Sequence, residues 1–160
     1  MASQIPAVPR IVFTILEPIS LVAGSFAATF TSASFIDEQI PAQAYSGHTL
    51  SPASHVVAQQ LGNMYMLSAL VGIALFTTVS EVRALKAYLA ALWVADIGHL
   101  VVTMYGLGWE GTIDYASWNA LTWGNIGATG FLCLTRTIYL LGFFGPDLAA
   151  TPTLTKPKRN

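Results

Sequence analysis

The stretch WVADIGHL, residues 93–100, places Asp96 and His99 inside a run that is otherwise almost entirely apolar. Positions three apart share one face of a helix, so both ionisable side chains point the same way. A charged side chain at the centre of a membrane helix costs about 2.5–3.5 kcal/mol. We therefore expect this face to look into a protein interior, and the rest of the chain must supply polar partners for it.

Composition indicates a membrane protein of one domain. Of the 160 residues, 54% are apolar and only 9% are charged, whereas a soluble domain has about 25% charged residues. The formal net charge is -1, and the few basic residues form no patch that follows a phosphate backbone. Nucleic acid is therefore not an expected partner. Membrane lipid and a lipophilic small molecule are.

Four apolar stretches approach the roughly 20 helical residues that cross a bilayer core of about 30 Å. They are residues 11–30, 61–79, 87–107 and 124–144. Each contains small residues, which let helix backbones approach closely in lipid. The sequence thus predicts an all-α fold, with a bundle of four transmembrane helices in residues 1–146. The same small residues leave a homodimer open.

The connections between the predicted spans are polar or short. Residues 31–60 and 108–123 contain turn-forming and acidic residues and are predicted to be loops outside the bilayer. Residues 80–86 form a short connection, so the second and third spans are predicted to be antiparallel neighbours.

Basic residues near the spans occur on one side of this topology only. Residues 31–60 and 108–123 contain no Lys or Arg, and these residues favour the cytosolic side. Both termini are therefore predicted to be cytosolic, and residues 147–160 are predicted to be a flexible basic tail that touches anionic lipid. The basic residues that flank the spans are Arg10, Arg83, Lys86, Lys156, Lys158 and Arg159.

Four ionisable side chains fall inside the predicted spans: Glu17, Asp96, His99 and Arg136. At about 1.5 Å per residue, the acids and the arginine lie about 9–14 Å from the cytosolic side, in one layer. They are expected to share one interior, where Arg136 holds one acid in a bidentate pair. The other acid is then desolvated, and we expect it to be neutral and able to donate a proton. Pro18 lacks an N–H and is expected to kink the helix beside Glu17.

Further polar residues extend this layer towards the luminal side. Asn63 and Asn125 lie near the luminal ends of their spans, and Tyr65 and Tyr105 lie in the same half. The prediction is a polar pocket that rises from the charged layer to the luminal surface. Structural interpretations stay open beside it: an ion pair that joins two helices, a hydrogen-bonded core histidine, and amides that cap helix ends.

Neither a metal nor another cofactor is expected. Two carboxylates and one histidine are the donor set of some iron sites, but the sequence has no paired histidines, and Arg136 would repel a cation. Cys133 lies in an apolar run and is expected to be a packing residue.

The residues assembled above resemble a known family. The segments that carry the likeness are ILEPISLVAG (15–24), LGNMYMLSAL (61–70), LWVADIGHL (92–100) and WNALTWGNIGATGFLCLTRTIYLLG (118–142). Together they resemble a group of small fungal integral membrane proteins with four spans. Several members are encoded beside polyketide synthases and flavin monooxygenases, as in the pathways to aurovertin, and are assigned as epoxide hydrolases or epoxide-opening cyclases.

This resemblance implies an enzyme of fungal secondary metabolism in the endoplasmic reticulum membrane that opens a lipophilic epoxide by general acid and base catalysis. Asp96, oriented by His99, would be the base and Glu17 the proton donor, with the reverse assignment nearly as good. Two alternatives stay open: a double-bond isomerase or cation-initiated cyclase with the same pocket, and a non-enzymatic lipid- or sterol-binding scaffold. The residues expected to contact the substrate are Arg136, Asn63, Asn125, Tyr65 and Tyr105.

Overall fold

The computed structural model describes residues 4–41 and 49–147, and within these ranges it contains helices and no strands. We label the helices α1 (Ala7–Phe30), α2 (Ser32–Asp37), α3 (Pro52–Thr78), α4 (Val82–Ile113) and α5 (residues 120–140). The predicted all-α fold is confirmed. Helices α1, α3 and α4 are long and apolar enough to cross a membrane, which indicates a membrane protein. The tail predicted at 147–160 lies outside the described residues, except for Asp147.

Helix α3 begins well before its predicted start. Residues 52–60 were predicted as loop because they include several polar side chains, but they are helical. The signal for an early start is local: the Ser51 hydroxyl accepts the backbone N–H of Ser54 at 3.1 Å, and Pro52 occupies the first helical position. The same predicted loop also contains α2.

Helix α4 also extends past both of its predicted ends. Inside it, Gly108 adopts φ 69° and ψ 174°, a left-handed conformation that interrupts the helix. The predicted loop of residues 108–123 therefore starts at a real break, although helix resumes up to Ile113 before a short turn leads into α5.

Packing pairs the helices in an order that the connections alone did not indicate. The principal contacts join α1 to α3 and α4 to α5. Helices α3 and α4 were predicted to be close neighbours, but they meet mainly beside their connection, where the rings of Phe76 and Tyr88 lie 6.3 Å apart. The reason is that a small residue of α3, Gly62, faces α1: a Cβ there would lie 2.5 Å from the Thr29 hydroxyl. Close approach of this kind favours α1 as the partner of α3.

The bundle is closed at one end. Its closed end is a cluster of buried side chains from all four long helices and the N-terminal segment: Ile5, Val12, Phe13, Phe76, Leu85, Leu89 and Tyr139. Asp147 is anchored to this end rather than belonging to a free tail. It accepts a hydrogen bond from the Tyr139 hydroxyl at 2.8 Å and pairs with the Lys86 ammonium at 2.6 Å.

The opposite half of the bundle, the open half, has a smaller buried cluster made of Ala28, Phe35 and Ala58. There the loops are tied to each other, because the Asn119 amide donates to the Glu38 carbonyl at 2.9 Å. The Asn119 side-chain oxygen also caps α5 by accepting the backbone N–H of Thr122 at 2.8 Å. These contacts hold the ends of four helices together around a partly hollow interior.

Candidate active site

A buried arginine joins two acids from different helices. Arg136 of α5 is 1% exposed, and its Nη2 donates to Oε1 of Glu17 on α1, while its Nη1 donates to Oδ2 of Asp96 on α4. The structure therefore brings these residues into one layer, as their depths predicted. The expected bidentate pair with one acid is wrong, because the two terminal nitrogens of the guanidinium point to separate carboxylates. One cation thus joins three helices.

The closed end covers one side of this cluster. The Phe13 ring, itself 1% exposed, lies under the guanidinium, with 5.4 Å between Cζ of Arg136 and the ring centroid. An aromatic face at this distance attracts a cation and excludes water. Two polar atoms of the cluster, Oε2 of Glu17 and Nε of Arg136, are buried without a hydrogen-bond partner among the described residues. Buried polar atoms in proteins normally find a partner, so two unpaired atoms in one cluster are unusual.

On the other side of the cluster lies a cavity of about 260 Å³, which we call the inner chamber. Glu17, Asp96 and His99 line it together with hydroxyl-bearing residues from three helices. Apolar and small residues complete its wall. A small polar head group therefore has room beside both acids. The hydroxyl-bearing lining residues are Ser20, Tyr65, Ser68 and Thr129.

His99 lines the inner chamber but does not orient Asp96 as predicted. Within the described part of the chain, no hydrogen bond joins the two side chains, because the Asp96 carboxylate accepts from Arg136 instead. The Nε2 atom of His99 is buried and has no partner among these residues. His99 thus lines the chamber and carries a buried ring nitrogen without a partner in the described part of the chain.

Two wide helical turns shape the site. A π-helical turn over Val12–Leu16 immediately precedes Glu17, whose backbone N–H donates to the Val12 carbonyl. The sequence predicts a kink at Pro18, which has no backbone N–H. The structure has a π-helical turn just before this proline, and the wider turn accommodates the missing hydrogen bond. A second π-helical turn, Trp123–Ala128, carries Asn125. Such turns occur often at functional sites.

Asn125 joins the site through a residue that the sequence analysis missed. Its amide donates to Oε1 of Gln39 at 3.0 Å, and it also lies beside His99. Gln39 follows α2 in a segment predicted as a polar loop, where a glutamine carries no signal of its own. Gln39 reaches the site because the segment after α2 folds back over the open half.

Tyr65 reaches the inner chamber, whereas Asn63 and Tyr105 do not. The Tyr65 ring packs over Gly24 of α1, where an added Cβ would lie 3.2 Å from the ring. Tyr105 is 89% exposed, and Asn63 is exposed on the outer surface. At roughly 100° per residue, Asn63 points about 160° away from Tyr65, and Tyr105 about 120° away from His99. The predicted substrate contacts of Asn63 and Tyr105 are therefore wrong.

The remaining predictions concern Cys133 and a metal site. Cys133 is half-buried on α5. Among residues 4–41 and 49–147, no group of three or more His, Cys, Asp or Glu side chains is arranged to hold a metal ion.

Comparison with known proteins places the chain in a family. Residues 2–146 match the family described as "Domain of unknown function (DUF7704)". The chain belongs to this family. The matched range contains every helix described above, including the Glu17, Asp96 and Arg136 cluster. Comparison with curated proteins and with solved structures finds no match in either set.

Proposed function

We propose that this protein is a membrane-embedded enzyme that opens epoxides on a lipophilic substrate by general acid and base catalysis. The observation that carries the proposal is the pair of carboxyl groups bridged by one buried guanidinium on the wall of the inner chamber. A lipid-facing ion pair that served only to join helices would need no cavity beside it. The fungal membrane enzymes that the sequence resembles are assigned this chemistry.

Epoxide opening requires an acid that donates a proton to the ring oxygen and a base that accepts a proton from the attacking water. Water donates its proton to a carboxylate as its oxygen attacks an epoxide carbon, and the carbon–oxygen bond of the ring breaks. The ring oxygen takes a proton from a neutral carboxylic acid and becomes a hydroxyl. The product is a diol, and one proton has passed from one acid to the other. Transfer of that proton back through the chamber restores the starting state.

The charge of the cluster fits this scheme. Two acids and one guanidinium form an electrically neutral group when the acids together hold one proton. Oε2 of Glu17 is buried and has no partner among the described residues, and we place on it the proton that an epoxide oxygen receives. We assign Glu17 as the proton donor and Asp96, held by Arg136, as the base. His99 accepts a hydrogen bond from the attacking water through Nε2.

We propose four membrane spans, with α5 as the fourth, and both termini on the cytosolic side. The continuous helix over residues 120–140 is about 30 Å long at 1.5 Å per residue, enough to cross a bilayer core. Arg10, Arg83 and Lys86 lie at the closed end. Residues 31–60 and 108–123, in the open half, contain acidic residues but no Lys or Arg. This distribution favours a cytosolic closed end. An endoplasmic reticulum location follows from the resemblance to enzymes of fungal secondary metabolism.

The test is turnover of epoxides in heavy-oxygen water by the protein purified in lipid nanodiscs. Epoxides without an internal hydroxyl should give diols that carry one heavy oxygen, detected by mass spectrometry. Asp96→Asn and Glu17→Gln should each lower kcat/KM by about 100-fold or more. Asp114→Asn and Glu110→Gln make the same chemical changes at exposed positions of α4 and its following turn, and should leave the rate unchanged.

Two outcomes would contradict the proposal. A rearranged product without heavy oxygen would point to an isomerase or a cation-initiated cyclase that uses the same acids. Product formation unaffected by Asp96→Asn and Glu17→Gln would point to a binding scaffold.

A further inference from the structure

A second cavity, which we call the outer chamber, lies in the open half between α3 and α4. Its volume is about 570 Å³, and its walls are mostly apolar. Phe35 and Ile36 of α2 cover it from the loop side. Val57 of α3 and Val102 of α4 also line it, and these residues are 65% and 72% exposed. The outer chamber therefore has exposed apolar residues where α3 and α4 border it.

The position of this cavity follows from the packing order of the helices. Helices α3 and α4 meet near the three-residue connection that joins them, but α3 packs along α1 and α4 packs along α5. Towards the open half, a cavity lined by Val57 of α3 and Val102 of α4 lies between the two pairs. A cavity with mostly apolar walls suits an apolar molecule, because water finds few polar partners in it.

The outer chamber and the inner chamber are adjacent and share two lining residues. Tyr65 and His99 line both cavities, one from α3 and the other from α4. They are polar groups at the boundary between an apolar space and the acid cluster. A molecule that occupied both chambers would therefore lie beside Tyr65 and His99.

The sizes of the chambers define what such a molecule looks like. Cavities that hold drug-sized ligands measure about 300–1,000 Å³. The inner chamber, at about 260 Å³, takes a small head group only, whereas the outer chamber, at about 570 Å³, takes a longer apolar body. A substrate with its reactive group near one end of an extended apolar chain fits both.

We propose that the outer chamber binds the apolar chain of the substrate, which enters sideways from the bilayer between α3 and α4. The chain stays in the outer chamber while the reactive epoxide passes Tyr65 and His99 to the acids. This inference rests on the proposed function, and it names the substrate class: an elongated lipophilic epoxide with the ring near one end. Tyr65 and His99 determine specificity at the junction by hydrogen bonding to the polar head.

Filling the outer chamber with a large side chain tests the proposal. Thr103 lines the chamber from α4, whereas Val101 of the same helix is 60% exposed and does not line it. Thr103→Trp should lower the ratio of kcat/KM for 1,2-epoxyhexadecane to that for 1,2-epoxybutane by about tenfold or more. Val101→Trp should leave this ratio unchanged. An unchanged ratio in Thr103→Trp would overturn the proposal.

A second pair of variants approaches the chamber from the other helix and guards against misfolding of Thr103→Trp. Val57 lines the chamber, and its neighbour Val56, which is 51% exposed, does not. Val57→Trp should lower the same ratio, and Val56→Trp should not. Equal ratios in these two variants would also count against the proposal.

A binding measurement separates this inference from the reaction itself. A long-chain epoxide with a diazirine at its far end should, on irradiation, label the peptides that contain Val57 and Thr103 in wild-type protein. Labelling should fall by about tenfold in Thr103→Trp and stay unchanged in Val101→Trp. Labelling that responds in this way without any epoxide turnover would remove the proposed reaction and keep the chain-binding site. Labelling that ignores Thr103→Trp would overturn the chain-binding site even if turnover is observed.

Discussion

The closed end and the open half of the bundle use the same helices to opposite effect. At the closed end, Phe13, Leu85 and Leu89 are at most 1% exposed, and rings from three helices contact one another. In the open half, a cavity of about 570 Å³ lies between α3 and α4, and its lining includes exposed apolar residues. The Arg136 cluster lies at the boundary. The packed closed end therefore holds the charged side chains in place, and the open half leaves space beside them.

Arg136→Met should give the largest loss of stability, because it removes the cation from the buried Glu17 and the partly buried Asp96. Loss of one partner from a buried ionic group costs about 3–5 kcal/mol, and Arg136 is 1% exposed. The measurement is thermal unfolding in detergent micelles, followed by tryptophan fluorescence. Arg83→Met, at an exposed position, should have little effect.

A combined variant sharpens this prediction. Adding Glu17→Gln and Asp96→Asn to Arg136→Met removes the unpaired charges and should restore part of the lost stability. If Arg136→Met alone unfolds at the wild-type temperature, the cluster does not stabilise the bundle.

Two leucines compare the packing of the two halves directly. Leu89 belongs to the closed end and is fully buried, whereas Leu61 lines the outer chamber and is 38% exposed. Leu89→Ala should destabilise the protein by about 2–5 kcal/mol, because a cavity is left in a packed core. Leu61→Ala should cost about 0.5 kcal/mol or less. Similar losses in the two variants, measured by the same unfolding assay, would contradict the distinction between the halves.

The contact between α1 and α3 depends on a missing side chain. Gly62→Ala would place a Cβ 2.5 Å from the Thr29 hydroxyl and 3.0 Å from the Ser25 carbonyl. We expect a loss of about 1–3 kcal/mol from this overpacking. Gly98→Ala, where an added Cβ meets nothing within 4 Å, should instead stabilise α4 by about 0.5–1 kcal/mol. Opposite signs in a denaturation assay check the prediction, and equal signs would refute it.

A small effect is expected from a hydrogen bond that joins α4 to α5. Trp93 donates its indole N–H to the Thr137 hydroxyl at 2.8 Å. Thr137→Val should cost about 0.6 kcal/mol, the average for hydrogen bonds between helices in a membrane protein. Thr77→Val is the control, because the exposed Thr77 hydroxyl bonds only to its own helix. A larger loss at Thr77 than at Thr137 would show that the bond contributes nothing between helices.

The sequence predicted where apolar helices occur more reliably than where they begin. Residues 52–60 contain His55, Gln59 and Gln60, and their polarity concealed a helical start that Ser51 and Pro52 indicated locally. Hydropathy reports the part of a helix that lies in lipid, not the part that continues into the loop region.

The directions of side chains were harder to predict than their depths. Glu17, Asp96 and Arg136 meet because rise per residue is constant along a helix, and the sequence supplies that count. Asn63 and Tyr105 were assigned to the pocket although they face outwards. In lipid the outer face of a helix is as apolar as the inner face, so the pattern of apolar residues does not tell the two apart.

The sequence by itself determined that the chain is helical and apolar, and that its few buried charges must converge, because lipid makes an unpaired charge costly wherever the helices pack. The tertiary structure shows that the two terminal nitrogens of Arg136 bind Glu17 and Asp96 separately, that Gln39 reaches Asn125, and that Tyr65 and His99 line both chambers. These features depend on which helices pair along their length. That choice rests on close contacts between distant residues, such as Gly62 against Thr29, and no local pattern along the chain records it.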